Sequence, residues 1–257
     1  MPSKQPFPTC KILGVNIAVT NMKKTVEYLD AHIKELSGAY ICVSNVHTTV
    51  TSYNDENYRA IQNRAVIALP DGKPLSVVCR KRGFMEAERV TGPDLMRETF
   101  LLSAKKGWRH YFYGSTEETL QALRAALEKT YPGIVIAGMY SPPFRPLTAE
   151  EDRQDIDRIN QAQADFIWIG LGAPKQERWM AAHQEKVQGL MIGVGAGFDY
   201  HAGTLKRAPL WMQNHSLEWI YRLLQDPVRL LRRYLMTNTK YIWLISRENR
   251  KMKKRGV

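Results

Sequence analysis

A carboxylate in a short turn is the first candidate for chemistry in this sequence. Asp71 stands between Pro70 and Gly72, directly after the apolar run Ala65–Leu69. A carboxylate at the end of a strand can take a proton from an attacking hydroxyl, so Asp71 is a candidate general base. Pro-Asp-Gly is also an ordinary turn sequence, and composition alone favours the turn.

Two glycine-rich segments follow later apolar runs and could bind a diphosphate. Glycines let backbone N–H groups approach a ligand closely, and a helix N-terminus behind such a turn attracts anions. Lysine and glutamine side chains would add donors, and an aspartate could bind a sugar or base hydroxyl. An ordinary strand-to-helix turn, with the aspartate as its cap, is the alternative. The candidate residues are Gly170, Gly172, Lys175, Gln176, Gly193, Gly195 and Asp199.

Three further segments contribute polar candidates. Asn45 follows the apolar run Tyr40–Val43 and can contact a sugar or base through both amide atoms. A second group precedes or opens a predicted helix and either holds substrate or caps that helix. A pair of cations later in the chain either faces phosphate or lies in solvent. These two groups comprise Arg89, Thr91, Asp94, Lys206 and Arg207.

The sequence disfavours a nicotinamide cofactor and a metal. The second glycine segment is G-x-G-x-G instead of G-x-G-x-x-G, and no acidic residue follows about 20 positions later to bind a ribose. Asp155 and Asp157 form a D-x-D pair, but the pair lies inside a charged helical stretch, which predicts a solvated face. The histidines show no metal-binding spacing. We therefore expect no cofactor and no metal ion.

Apolar runs that alternate with helical patterns predict the fold. Strands separated by helices indicate an α/β fold with a Rossmann-like parallel sheet covered by helices. Ligands in such sheets bind beyond the carboxyl ends of the strands, so the loops after Val43, Leu69, Ile169 and Ile192 should gather at one site. The predicted strands are Tyr40–Val43, Ala65–Leu69, His110–Tyr113, Ile134–Ile136, Phe166–Ile169 and Leu190–Ile192. The predicted helices are His47–Arg64, Gly92–Lys105, Thr116–Lys129, Thr148–Gln161 and Pro174–Glu185.

The C-terminus carries most of the net charge of +12. Residues 222–257 hold eleven Lys or Arg and two acids, which predicts an α/β domain over 1–221 and a basic amphipathic helical appendage over 222–257. Arg222, Arg229 and Arg233 belong to one basic stripe, with apolar residues on the opposite side. Such a helix is typical of an anionic membrane surface. The alternative is a terminal helix that packs its apolar face on the body.

Composition indicates a compartment without disulfides. The 257 residues include three scattered cysteines, and no CxxC pair is present. We see no signal peptide and no run of about 20 apolar residues, and therefore expect a cytoplasmic protein that binds the membrane peripherally. No nucleic-acid-binding motif is present, so we expect no nucleic-acid partner.

Several of these segments together resemble one protein family. Pro70-Asp71-Gly72-Lys73-Pro74, the segment from Arg89 to Leu95, the segment from Gly170 to Glu177, and Gly193-x-Gly195 with Lys206-Arg207-Ala208-Pro209 occur in one order. In this combination the chain, from about Ile12 to Arg233, resembles the WecG/TagA/CpsF glycosyltransferases.

The resemblance implies an inverting transfer from a UDP-sugar to a sugar on a polyprenyl diphosphate, in the synthesis of teichoic acid linkage units, enterobacterial common antigen or exopolysaccharides. It implies Asp71 as general base, Asn45 as a site contact, Gln176 near the diphosphate, and an appendage that docks on the inner face of the membrane and closes the site. Teichoic-acid members tend to have Thr and Ala where this chain has Val43 and Pro70. N-acetylmannosamine, glucose and a related hexose therefore all remain candidate donor sugars, and a homo-oligomer remains possible.

Three other classes of function compete with this interpretation. A nucleotide-cofactor enzyme of the NAD type requires the missing ribose-binding acid. A nucleic-acid-binding protein would retain duplex DNA at physiological salt, and a non-catalytic membrane-surface protein would not bind UDP.

Overall fold

The computed structural model describes residues 5–215 and 217–254, without the side chains of Asn214, Arg229, Arg232, Arg233 and Lys253. The strands are β1 (Thr9–Ile12), β2 (Val15–Ala18), β3 (Tyr40–Ser44), β4 (Ile67–Pro70), β5 (Arg109–Gly114), β6 (Val135–Tyr140), β7 (Phe166–Gly170) and β8 (Leu190–Gly193). Six of them form a fully parallel sheet in the order β4-β3-β8-β7-β5-β6. A separate antiparallel hairpin of β1 and β2 precedes the sheet.

Helices cover both faces of the sheet, which confirms the predicted fold class. Successive residues of a strand enter different cores. Phe166 and Trp168 of β7 pack in one cluster with Leu29 and Phe100, whereas Ile167 and Ile169 pack in another with Ile159 and Met180. The helices are α1 (Met22–His32), α2 (Val46–Asn54), α3 (Glu56–Arg64), α4 (Lys73–Lys81), α5 (Gly92–Lys106), α6 (Glu117–Thr130), α7 (Ala149–Gln161), α8 (Lys175–Ala182), α9 (Gly197–Ala202), α10 (Leu210–Asn214), α11 (Glu218–Gln225) and α12 (Pro227–Lys254).

The helix predicted over His47–Arg64 is two helices. Asp55 has an extended backbone, with φ −130° and ψ 107°, so it ends α2. Its Oδ1 accepts a hydrogen bond from the backbone N–H of Tyr58 at 3.0 Å and thereby caps α3. A capping aspartate in the middle of a helical pattern accounts for the break.

The expectation of a solvated D-x-D face is wrong for Asp155. Its side chain is buried on α7, where Oδ2 accepts a hydrogen bond from the hydroxyl of Tyr113 at 2.7 Å. Arg158 donates to Oδ1 at 3.0 Å. Asp155 therefore anchors α7 to the sheet, because a buried carboxylate needs such partners.

The hairpin, α4 and α12 share a third core. Ile12 and Ile17 of the hairpin pack in one cluster with Leu75 of α4 and with Tyr241 and Leu244 of α12. An ion pair between Arg82 and Glu248, at 2.8 Å, joins the end of α4 to α12. This core holds the C-terminal helix against the α/β body.

Residues 218–254 form two helices, α11 and α12, which are separated at Asp226. The predicted boundary of the appendage, residue 222, falls inside α11, and the division into two domains stays a prediction. Within the described part of the chain, none of the helices combines the length and the apolar character that a membrane crossing requires.

Candidate active site

The sheet order brings the four predicted loops together. Strands β4, β3, β8 and β7 are consecutive neighbours, so the loops after Pro70, Ser44, Gly193 and Gly170 leave the same edge side by side. They open into a cavity of about 1140 Å³ that residues of α11 and α12 also line. This confirms the predicted gathering of the loops at the carboxyl ends of the strands.

Asn45 and Asp71 lie next to each other because β3 and β4 pair in register. Ser44 pairs with Pro70, and the backbone N–H of Asp71 donates to the Ser44 carbonyl at 2.8 Å. Asn45 caps α2, as its Oδ1 accepts from the N–H of Thr48 at 3.2 Å. The Asn45 side chain also hydrogen-bonds the Asp71 carboxyl. Asn45 therefore holds both a helix start and the candidate base.

The cavity changes the acidity of Asp71. Loss of hydration in the cavity, together with the nearby Glu218 carboxylate, raises its pKa to about 6. Arg89, Arg222 and the hydrogen bond from Asn45 act in the opposite direction but are outweighed. A carboxyl group with a pKa near neutrality is better suited to accept a proton than an ordinary aspartate.

The two glycine loops are joined by Gln176. Its Oε1 accepts from the N–H of Gly195 at 3.1 Å, and its Nε2 donates to Oε1 of the fully buried Glu177 at 2.9 Å. A Cβ on Gly193 would lie 2.8 Å from Nε2 of Gln176, so a larger residue there would displace the Gln176 amide. Gly172 has φ +75°, which requires glycine. The loops therefore approach each other through glycine backbone.

Arg89 connects the body to the C-terminal helices. Its Nη1 donates to Oε2 of Glu218 at 2.8 Å, and its Nη2 donates to Oε1 of the buried Gln213 at 2.9 Å. Gln213 in turn donates to the carbonyl of Ala208 at 2.7 Å. Arg89, predicted to bind substrate, thus lines the cavity while both of its terminal nitrogens are occupied by protein groups.

Asp94 and Arg207 form an ion pair at the border of the cavity. Arg207 Nη2 donates to Oδ2 of Asp94 at 2.7 Å, and the Thr91 hydroxyl donates to the same oxygen at 2.6 Å. Burial opposes ionisation of Asp94, but these bonds and the charge of Arg207 outweigh it and lower the pKa of Asp94 to about 2. The pair holds the start of α5 against the segment that follows α9.

The structure brings most of the predicted site residues together. Those that line the cavity are Asp71, Asn45, Arg89, Thr91, Gly170, Gly172, Lys175, Gln176, Gly193, Gly195, Asp199, Arg207 and Arg222. Asp94 lies behind Arg207 instead, and Lys206 is exposed and outside the lining. The side chains of Arg229 and Arg233 lie outside the described residues.

Sequence reasoning missed several residues of the cavity. Glu218 and Gln213 belong to no motif, and their place in the cavity depends on their hydrogen bonds with Arg89. Tyr200, three residues after Gly197 in α9, lines the cavity but belongs to no recognisable motif. Tyr234 and Asn238 of α12 also line it, and the spacing of four residues between them is the signal that places both on one helix face.

The chain is similar to curated proteins over almost its whole length. Two curated relatives are both named N-acetylglucosaminyldiphosphoundecaprenol N-acetyl-beta-D-mannosaminyltransferase. The protein of Bacillus subtilis (strain 168) is 29 % identical over 239 residues, which cover 91 % of this chain and 90 % of the relative. The protein of Staphylococcus aureus (strain MW2) is 29 % identical over 246 residues, 95 % of this chain and 94 % of the relative.

A family model covers almost the whole chain. Residues 10–255 match the model described as the glycosyl transferase WecG/TagA/CpsF family. The match includes the cavity loops, α11 and α12, so the C-terminal helices are part of the family's shared sequence. This chain is a glycosyltransferase that belongs to the WecG/TagA/CpsF family.

Proposed function

We propose that this protein transfers a sugar, with inversion, from a UDP-sugar to a sugar linked to polyprenyl diphosphate, at the inner face of the cell membrane. The observation that carries the proposal is the position of Asp71. It is a carboxyl with a raised pKa, at a strand end, in the same cavity as two glycine loops and several cations.

The reaction needs one proton acceptor. Asp71 takes the proton from the acceptor hydroxyl as the hydroxyl oxygen attacks the anomeric carbon of the donor. The bond from that carbon to the phosphate oxygen breaks, and its electron pair leaves with UDP. Attack from the side opposite the leaving group inverts the anomeric centre, and Asp71 then releases the proton to solvent.

The glycine loops and nearby cations support a diphosphate site. The first loop leads into α8, whose N-terminal N–H groups attract anions. Lys175 lies at that start, and Arg89 and Arg222 line the same cavity. Helix-terminus attraction contributes about 0.3–1 kcal/mol, which is too little to bind a diphosphate without these cations. We infer that the protein neutralises the leaving group with its own groups, without a metal ion.

The names of the relatives supply the first substrates to test. Both describe N-acetyl-beta-D-mannosaminyl transfer to N-acetylglucosaminyldiphosphoundecaprenol. The acceptor proposed here is therefore an N-acetylglucosaminyl polyprenyl diphosphate, in the synthesis of teichoic acid or another surface polysaccharide. Val43, which stands where teichoic-acid members of the family tend to have Thr, lines the cavity. The donors to test therefore include UDP-N-acetylmannosamine, UDP-glucose and related UDP-hexoses.

The exposed face of the C-terminal helices supports membrane docking. Ile245 is buried, but Leu224, Val228, Leu235 and Ile242 are between 59 and 94 % exposed. Trp243 is also exposed, and Arg247 stacks on its ring at 5.5 Å. A lipid surface is the environment in which such a combination of apolar, aromatic and basic side chains is stable.

The same helices also form one wall of the cavity. Arg222 of α11 and Tyr234 and Asn238 of α12 line it together with the strand-end loops. This supports an appendage that both completes the active site and docks the protein on the membrane. Transfer to a short, water-soluble acceptor should then also depend on α11 and α12.

The proposal is tested by direct transfer. The purified protein is incubated with each UDP-sugar and a short-chain N-acetylglucosaminyl prenyl diphosphate, and the product is analysed by mass spectrometry and NMR. We expect release of UDP and one new glycosidic bond whose anomeric configuration is opposite to that of the donor. Retention of configuration, or no transfer from any UDP-sugar although UDP binds, would contradict the proposal.

A further inference from the structure

Glu218 is a carboxylate in a cavity that is proposed to receive a diphosphate. We propose that Glu218 takes the place of the substrate's phosphate charge while the site is empty. In that state it holds Arg89 through an ion pair, and the incoming anion displaces Glu218 from Arg89. This inference rests on the proposed function for the identity of that anion.

The first support is the geometry around Arg89. Its guanidinium makes an ion pair with Glu218 at 2.8 Å, and the two side chains are 21 and 23 % exposed. Its other terminal nitrogen is held by Gln213. These contacts use two of the five N–H donors of the guanidinium, which binds phosphate best through two parallel N–H groups. A phosphate that binds on the side facing Glu218 must therefore displace that carboxylate.

The second support is the distribution of charge in the cavity. Arg207 is already neutralised by Asp94, with which it makes hydrogen bonds through both Nη atoms. Glu218 acts electrostatically on Arg89, Arg207 and Arg222, and it lies at the start of α11. Its charge therefore balances arginines that would otherwise repel one another in the empty site.

The third support is the position of the contact between two parts of the fold. Arg89 belongs to the body, whereas Gln213 and Glu218 belong to α10 and α11. Exchange of Glu218 for phosphate therefore changes how the C-terminal helices are attached near Asp71. The hydrogen bond that Arg89 donates to Gln213 and the buried contacts of α12 with the hairpin keep those helices in place during the exchange.

The consequence is that Glu218 competes with the substrate. If the carboxylate is removed, Arg89 no longer has to give up an ion pair, and the diphosphate meets one less negative charge. A partly exposed ion pair contributes up to about 1 kcal/mol, so UDP should bind up to about fivefold more tightly to Glu218→Gln. A residue that merely supported the fold would give the opposite result, because its loss would weaken binding.

The test compares matched variants by calorimetric titration with UDP and with inorganic pyrophosphate. Glu218→Gln and Glu218→Ala are measured beside Glu248→Gln, which breaks the Arg82–Glu248 ion pair outside the cavity with the same change of charge. We expect tighter binding of both probes to the two Glu218 variants, and wild-type binding to Glu248→Gln. In transfer assays the donor KM of the Glu218 variants should fall without a rise in kcat.

Each other outcome overturns the inference or its premise separately. Unchanged or weaker binding of both probes to the Glu218 variants overturns it, as does equal tightening in Glu248→Gln. Tighter binding of pyrophosphate without any binding of UDP leaves the exchange standing and rejects the UDP-sugar donor. Failure of both variants to fold also overturns it, because a displaceable contact is not one on which folding depends. No binding of either probe to any of the proteins overturns it as well, because no anion then displaces Glu218.

Discussion

Replacement of Gln176 by alanine should damage both stability and donor binding. The change leaves the N–H of Gly195 and Oε1 of Glu177 without the bonds of 3.1 and 2.9 Å that the amide supplies. Glu177 is fully buried, and an unsatisfied buried polar group costs about 1–3 kcal/mol. The N–H of Gly195 also donates to the carbonyl of Ile169 at 3.4 Å, so its contribution is smaller. We expect the free energy of unfolding to fall by about 2–3 kcal/mol in total.

The expected loss in the free energy of unfolding corresponds to a measurable decrease in Tm. For a chain of this size, about 2–3 kcal/mol lowers Tm by about 4–12 °C. Differential scanning calorimetry measures this shift, and Gln161→Ala, at the exposed end of α7, is the matched control. UDP affinity is then measured well below the Tm of both the wild type and Gln176→Ala. It should fall in the variant because the second glycine loop has lost its support.

Two results would refute this reasoning. A Tm within about 1 °C of wild type would show that Gln176 does not join the glycine loops in the way that its hydrogen bonds indicate. Wild-type UDP affinity in a destabilised Gln176→Ala would separate the loop contact from donor binding and would remove Gln176 from the diphosphate site.

Three further predictions concern pH, metal and membrane. Because Asp71 must be deprotonated to accept a proton and its pKa is raised to about 6, kcat/KM should rise through about pH 6 and level off above it; a profile flat down to pH 4 would contradict this. EDTA should not reduce transfer, and loss of activity that manganese restores would show that the protein's own cations do not suffice. Replacement of the exposed Val228, Leu235 and Ile242 by serine should abolish co-sedimentation with anionic vesicles, whereas the exposed Met85→Ser, far from α12 in sequence, should not.

The site was predictable from sequence because it is built at strand ends. The apolar runs before Asn45, Asp71 and the two glycine segments are short and bounded by turn residues, so their type and the edge they share follow from the parallel-sheet pattern. The sheet order then places the four loops side by side.

The parts that sequence reasoning missed depend on tertiary contacts. The hairpin turns at Leu13 and Gly14, both with positive φ, and Leu-Gly is not a typical hairpin signal. The break at Asp55 depends on a capping bond, and the burial of Asp155 depends on its bond to Tyr113. A charged residue in a helical pattern is predicted to be solvated, because the sequence does not show its tertiary hydrogen-bond partner.

The C-terminal helices show the same limit. Their periodicity predicted helices, which the structure shows, but which face packs on the body could not be derived from it. The packing face is formed by Leu230, Tyr241 and Leu244, whereas most of the predicted apolar stripe is exposed. Long-range complementarity with the hairpin and α4 decides the orientation.

The role of Asp71 as general base is tested most directly by Asp71→Asn. The change keeps the shape of the side chain and removes its ability to accept a proton, and general-base catalysis contributes about 10²- to 10⁴-fold. We expect kcat for transfer from the UDP-sugar to fall by about that factor, while calorimetry shows that UDP still binds. Near-wild-type turnover in Asp71→Asn would contradict the assignment of Asp71 as the base.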